Sequence, residues 1–177
     1  TLHEDYLNLP FFVRWWHYVF YCAADELIVH TQTHKELLPG WLEERTSVIP
    51  MGCKVQSYEG ITLKTVGTKY ILLIGFINDW KGYETVIEAF KEMGGDVPGL
   101  KLYIVGRAHD QKYFVKLKGL SEGYDNIVFV EDFVSDEAYK SYVVGAELVC
   151  LPYKRITMSA VAGDLIGLGA PILCSTL

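Results

Sequence analysis

From Lys69 onward, apolar and polar stretches alternate along the chain. Five short apolar runs read as strands: "YILLIGF" from Tyr70, "LKLYIVG" from Leu100, "NIVFV" from Asn126, "ELVCLP" from Glu147 and "PILCS" from Pro171. Between them lie "GYETVIEAFKEM", "DQKYFVKLKGL", "SDEAYKSYVVG" and "SAVAGDLIGLG", whose periodicity is helical. In the first of these, Val86, Ile87, Phe90 and Met93 recur on one face while Glu84, Glu88 and Lys91 point away. Ser135, followed by Asp136 and Glu137, is a helix start: a capping oxygen, then charges that suit the dipole. The strands are apolar on both faces, as strands covered by helices on each side are. Repeated strand–helix alternation predicts an α/β fold with a doubly wound, Rossmann-like parallel sheet.

Residues 1–50 have a different texture. "FFVRWWHYVFYCAADEL" is an aromatic-rich helix, followed by a strand at "LIVHT" and a short helix at "THKELL". A proline and a glycine follow in "VIPMGC", and then the polar "KVQSYEGITLKTVGTK" reads as a linker. The expected organisation is the terminal part of one Rossmann-like domain over 1–50, a linker over 51–68 and a second domain over 69–177. Among Phe11, Phe12, Trp15, Trp16 and Phe20, Arg14 is the only permanent cation, too little for the polar face of a membrane-lying helix, so they are expected in a core or a domain interface.

Half of the 177 residues are apolar, enough for one good core. A net charge of −6 with no cluster of Lys or Arg argues against a nucleic-acid partner, which requires a basic stripe. A small anionic ligand is compatible with it, because a pocket on an acidic protein can be locally positive. Cys22, Cys53, Cys150 and Cys174 form no Cys-x-x-Cys pair and read as buried thiols rather than zinc ligands. His30 and His34 have chelate spacing, but His30 ends a strand and no third ligand follows, so no metal site is expected. No apolar run is long enough to span a bilayer.

In an open parallel sheet, ligands sit beyond the carboxyl ends of the strands. The loops there are residues 75–82, 106–110, 131–135 and 152–159, and they carry Lys81, Arg107, Lys154 and Arg155. A helix starting near Ser159 would add its positive end, which suits a diphosphate. Neither the Gly-x4-Gly-Lys-Ser/Thr loop nor the Gly-x-Gly-x-x-Gly fingerprint is present.

The segments "GFINDWKGYETVIEAF", "LKLYIVGRA", "NIVFVEDFVSDEAYKSYVVGAELVCLPY" and "SAVAGDLIGLGAPIL" resemble, in order, the second domain of retaining glycosyltransferases of family 4 (group 1), with the GT-B fold. "ADELIVHTQTHKELL" and "SVIPMGC" resemble the stretch that closes the family's first domain. The resemblance implies two Rossmann-like domains, the second binding a nucleotide-diphosphate sugar and the first a carbohydrate or lipid-linked acceptor. It further implies no cofactor besides that donor, a role in polysaccharide or glycoconjugate synthesis, and a cytoplasmic location with peripheral membrane association of a full-length parent. By this resemblance Gly75 approaches the donor phosphates, Lys81 binds them, and His3 lies near the transferred sugar. Asp164 holds the ribose, Phe133 and Val134 face the base, and Ser159 and Ala160 open the diphosphate-binding helix. Phe76 and Arg107 complete the implied donor site.

This chain departs from the family pattern at Phe76, where arginine is frequent, at Ile156 in place of a glutamate, and at Met158 and Ala160. The family pattern also extends beyond both ends of the chain. The expectation is therefore a donor-binding domain plus the end of an acceptor domain, inactive in isolation. Two other readings fit the same architecture: a sugar-nucleotide epimerase and a non-catalytic nucleotide-sugar-binding module.

Overall fold

The computed structural model describes residues 10–55, 57, 60–63, 67–93, 96–156 and 158–176. The described residues divide into two units, one running to Gly52 with those of Ile156–Ala160, the other formed by Cys53–Arg155 with the chain from Val161. In the first unit, α1 (Phe11–Ala23) precedes β1 (Leu27–Val29), α2 (Gln32–Glu36), a 3-10 turn (Gly40–Arg45) and β2 (Thr46–Val48). The two strands pair in parallel from Leu27 opposite Thr46. Thr31 caps α2 by accepting from the His34 N–H, and Arg45 donates to the Ala24 carbonyl just past α1. A helix buries one stripe of its surface, and in α1 the buried residue is Tyr21. Phe11, Phe12, Trp15, Trp16 and Phe20 are exposed rather than packed into a core. No helix among the described residues is long and apolar enough to cross a membrane.

The apolar runs of the second unit form β3 (Tyr70–Ile74), β4 (Lys101–Val105), β5 (Ile127–Val130), β6 (Leu148–Leu151) and β7 (Ile172–Cys174). All pair in parallel, in the order β5-β4-β3-β6-β7. Four helices alternate with them: α3 (Tyr83–Glu92), α4 (Gln111–Leu120), α5 (Asp136–Val144) and α6 (Ala160–Gly167). The fold is the expected doubly wound α/β sheet. Successive side chains of a strand face opposite ways, and central β3 serves both layers. Leu73 belongs to one buried apolar cluster with Ile87 and Phe90 of α3 and Phe114 and Leu117 of α4. Tyr70 reaches the other way, its hydroxyl donating to the Tyr142 carbonyl of α5 at 2.6 Å. Ser135 caps α5 as its sequence predicts, and Asp110 caps α4 through the Lys112 and Tyr113 N–H groups.

Two expectations are corrected. Of the four cysteines only Cys150, in the middle of β6, is buried; Cys174 lies on edge strand β7, and Cys22 and Cys53 are exposed too. Lys91 does not simply point into solvent, because its ammonium donates to the Leu120 carbonyl at the end of α4, 2.9 Å away.

Candidate functional site

Strand order reverses at β3. The chain adds β4 and β5 on one side and returns to place β6 on the other. The crevice at such a switch point, beyond the carboxyl ends of β3 and β6, is where open α/β sheets take ligands. Two loops border it, one running from Gly75 to α3 and the other starting at Pro152.

The first loop is shaped by three glycines. Gly75, at φ 108°, ends β3. A Cβ on Gly106 would lie 2.1 Å from the Gly75 carbonyl oxygen, so only glycine lets the ends of β3 and β4 approach this closely. The approach is held by Ile77 N–H to the Arg107 carbonyl at 3.0 Å and His109 N–H to the Ile77 carbonyl at 3.2 Å. A 3-10 turn (Asp79–Lys81) follows, closed by Gly82 in the left-handed region at φ 66°. A Cβ on Gly82 would lie 2.2 Å from the Pro152 carbonyl oxygen, while the Lys154 N–H donates to the Trp80 carbonyl at 2.8 Å. The two loops are thereby seamed together along their backbones.

That seam buries Lys81, which is 4% exposed. Its ammonium lies 5.6 Å from the centroid of the Trp80 ring and 5.9 Å from that of Tyr153. A Cβ on Gly75 would stand 2.8 Å from the Lys81 nitrogen. The same position is 3.7 Å from Val161 in the first turn of α6, so the positive end of that helix borders the same space. Among the described residues no carboxylate pairs with Lys81 and no hydrogen bond reaches its nitrogen. Burial pushes the ammonium down from 10.5 to about 8. A buried cation without a counter-charge is costly, and an anion reaching its nitrogen would offset that cost.

The other cations differ. Lys154 is engaged by Glu84 at 2.6 Å, with Lys116 at 3.5 Å from the same oxygen, and the Tyr113 hydroxyl donates to the other oxygen. Burial pushes the Glu84 carboxyl up, but the hydrogen bonds from Lys154 and Tyr113 and the Lys154 charge outweigh it and hold the group down to about 2. Glu84 therefore does not point away as its helical position suggests. Arg107 and Arg155 are exposed on the loops after β4 and β6.

Phe76 is half exposed and meets His109 edge-on at 6.1 Å between ring centroids. Phe133 is exposed beyond β5, with Val134 half-buried beside it. Ser159 and Ala160 stand at the start of α6, and Asp164 is exposed on its second turn. Burial raises the pKa of the Tyr139 phenol, and the nearby charge of Asp164 raises it further. His3 lies outside the described residues. His30 hydrogen-bonds the Ile49 carbonyl through Nδ1, and among the described residues no group of three or more His, Cys, Asp or Glu side chains comes together as metal ligands. Sequence reasoning missed Gly82, Glu84 and Tyr153; for the first two the available signal was Lys-Gly-Tyr-Glu following a polar loop.

The family pattern of "Glycosyl transferases group 1" matches residues 56–175. The chain belongs to the group 1 glycosyltransferases. No curated protein matches it significantly. Among solved structures, this glycosyltransferase chain is similar in fold to the sucrose-phosphate synthase of Thermosynechococcus elongatus at TM-score 0.71 and 20% identity, over 98% of this chain and 46% of that one. It is also similar to an E. coli protein titled "Trehalose-6-phosphate", bound with UDP-2-fluoro glucose, at TM-score 0.73 and 11% identity, over 96% of this chain and 49% of that one. Anabaena HepE in complex with UDP and glucose superposes at TM-score 0.69 and 19% identity, over 84% of this chain and 44% of that one. The chain thus spans just under half the length of these relatives. At these identities the likeness establishes the GT-B fold.

Proposed function

We propose that the second unit binds a nucleotide-diphosphate sugar, and that the whole protein transfers the sugar with retention to a hydroxyl of a carbohydrate or lipid-linked acceptor, as a family 4 enzyme of polysaccharide or glycoconjugate synthesis. One observation carries this reading: Lys81 is buried without a counter-charge at the switch point, facing the bare backbone of Gly75 and the first turn of α6. A diphosphate supplies the missing negative charge. UDP or a UDP-sugar occupies two of the fold relatives, which makes UDP the first nucleotide to test.

In transfer, the bond from the sugar to the diphosphate breaks and negative charge grows on the leaving oxygens. The Lys81 ammonium and the positive end of α6 oppose that charge from a site already partly shielded from water, which is electrostatic stabilisation of the transition state. Removing one such contact typically raises a barrier by about 3 kcal/mol. Asp164 is assigned to the ribose, Phe133 and Val134 to the base, and Arg107 and Phe76 to the outer wall of the donor site. The reaction needs no cofactor besides the donor.

The test is a thermal-shift titration of the full chain with UDP, GDP, UMP and inorganic phosphate. A ligand that binds the native state raises the melting temperature as its concentration passes Kd. The diphosphates should raise it well beyond UMP, and Lys81→Met should abolish the shift. Absence of any diphosphate-dependent shift at millimolar ligand would reject the donor site.

A further inference from the structure

Glu84 occupies the first turn of α3, three residues beyond Lys81, and gathers groups from α4 and from the loop after β6. Its Oε1 accepts from Lys154, on the loop after β6, at 2.6 Å, and lies 3.5 Å from Lys116 of α4. Its Oε2 accepts from the Tyr113 hydroxyl of α4, which itself accepts from the Tyr83 N–H at 3.0 Å. The backbone of Lys154 returns to the loop after β3 through its N–H bond to the Trp80 carbonyl. These contacts close a ring that runs through Trp80, Lys81 and the start of α3, across Glu84 to Lys154, and back to Trp80. Lys81 is thus held from both sides, by Trp80 within the ring and by Gly82 wedged against Pro152.

We propose that Glu84 is a positioning residue: with Lys154 it clasps the loops after β3 and β6 together and fixes the Lys81 ammonium beside the backbone of Gly75, where it meets the donor diphosphate. The inference rests on the donor-site reading. Burial is what lowers the pKa of Lys81, and the contacts of Glu84 run to Lys154, Lys116 and Tyr113. The clasp also withdraws Lys154 from the anion, leaving Lys81 as the buried cation of the crevice. A pair joined at one hydrogen-bonded contact should show strongly non-additive substitutions. An ordinary surface ion pair would contribute little in either respect.

The experiment is calorimetric titration of the full chain with UDP, GDP and UMP, using wild type, Glu84→Gln, Lys154→Met, the double variant, and Glu88→Gln as an exposed control on the same helix. Each clasp variant should weaken diphosphate binding roughly tenfold, within the coupling range of contacting residues. The double variant should bind no worse than either single one. UMP affinity should change little, because a displaced Lys81 loses its grip on the second phosphate above all. Glu88→Gln should match wild type. Additive losses, or parallel losses for UDP and UMP that track a lower melting temperature, would show a merely structural ion pair and overturn the clasp. A wild type that binds neither diphosphate would overturn the donor reading and the clasp with it. Lys154→Met changes an exposed loop side chain, so the clasp stays falsifiable even if Glu84→Gln does not fold.

Discussion

Replacing Lys81 by methionine should make this protein more stable while removing its ligand. The side chain stays unbranched and apolar and is only one atom shorter, so packing changes little, but the buried charge is gone. The penalty in wild type follows from the displacement of its pKa from 10.5 to about 8. At 1.36 kcal/mol per unit that displacement corresponds to about 3.4 kcal/mol, and loss of the contacts with Trp80 and Tyr153 returns about 1 kcal/mol of it. A net gain of about 2–3 kcal/mol is expected at pH 7. The sign follows from linkage: with the folded pKa depressed, the unfolded chain binds more protons between about pH 8 and 10.5, so wild-type stability rises across that window. The penalty is complete below about pH 8 and disappears as pH passes 10.5. Urea unfolding of both proteins, followed by circular dichroism at pH 7 and pH 9.5, measures the gap directly. The reasoning is refuted if Lys81→Met is less stable than wild type at pH 7, or if the gap does not narrow at the higher pH.

Other substitutions test neighbouring parts of the account. Gly82→Ala forces a left-handed backbone on alanine and pushes its Cβ into the Pro152 carbonyl, so a loss of about 2–4 kcal/mol in urea unfolding is expected, together with loss of UDP binding. Glu84 has a depressed folded pKa, so its stabilisation is present above about pH 4.5 and fades as pH falls toward about 2; Glu84→Gln should flatten the acid limb of the stability profile by about 1–2 kcal/mol, allowing for the exposure of Lys154 and Lys116. Lys91→Ala removes the donor to the Leu120 carbonyl and should lower stability by about 1 kcal/mol without changing UDP affinity, as paired denaturation and calorimetry would report.

The sheet was legible because its strands are buried on both faces and therefore read as unbroken apolar runs, "YILLI" most clearly. The helix start at Ser135 is legible for a local reason: a capping side chain acts within three residues. The three-residue β2 is hard to see in the sequence, since so short a run carries almost no periodicity. What no local pattern conveys is the state of Lys81. It sits in a polar loop and reads as a solvated lysine; only the return of β6 to the side of β3 buries it. Gly82 and Gly106 likewise look ordinary until Pro152 and Gly75 are placed against them. Helical spacing turns Glu84 toward solvent, but its partners Tyr113 and Lys154 lie 29 and 70 residues away in sequence.

The central claim is that Lys81 awaits a diphosphate, and proton uptake on binding tests it most directly. With its pKa at about 8, Lys81 is mostly deprotonated at pH 8.5, and an anion at its nitrogen would restore the charge. Calorimetry of UDP binding at pH 8.5 in two buffers of different ionisation enthalpy should then report uptake of roughly three-quarters of a proton per site. UDP that binds with no proton uptake, or with the same uptake after Lys81→Met, would contradict the account.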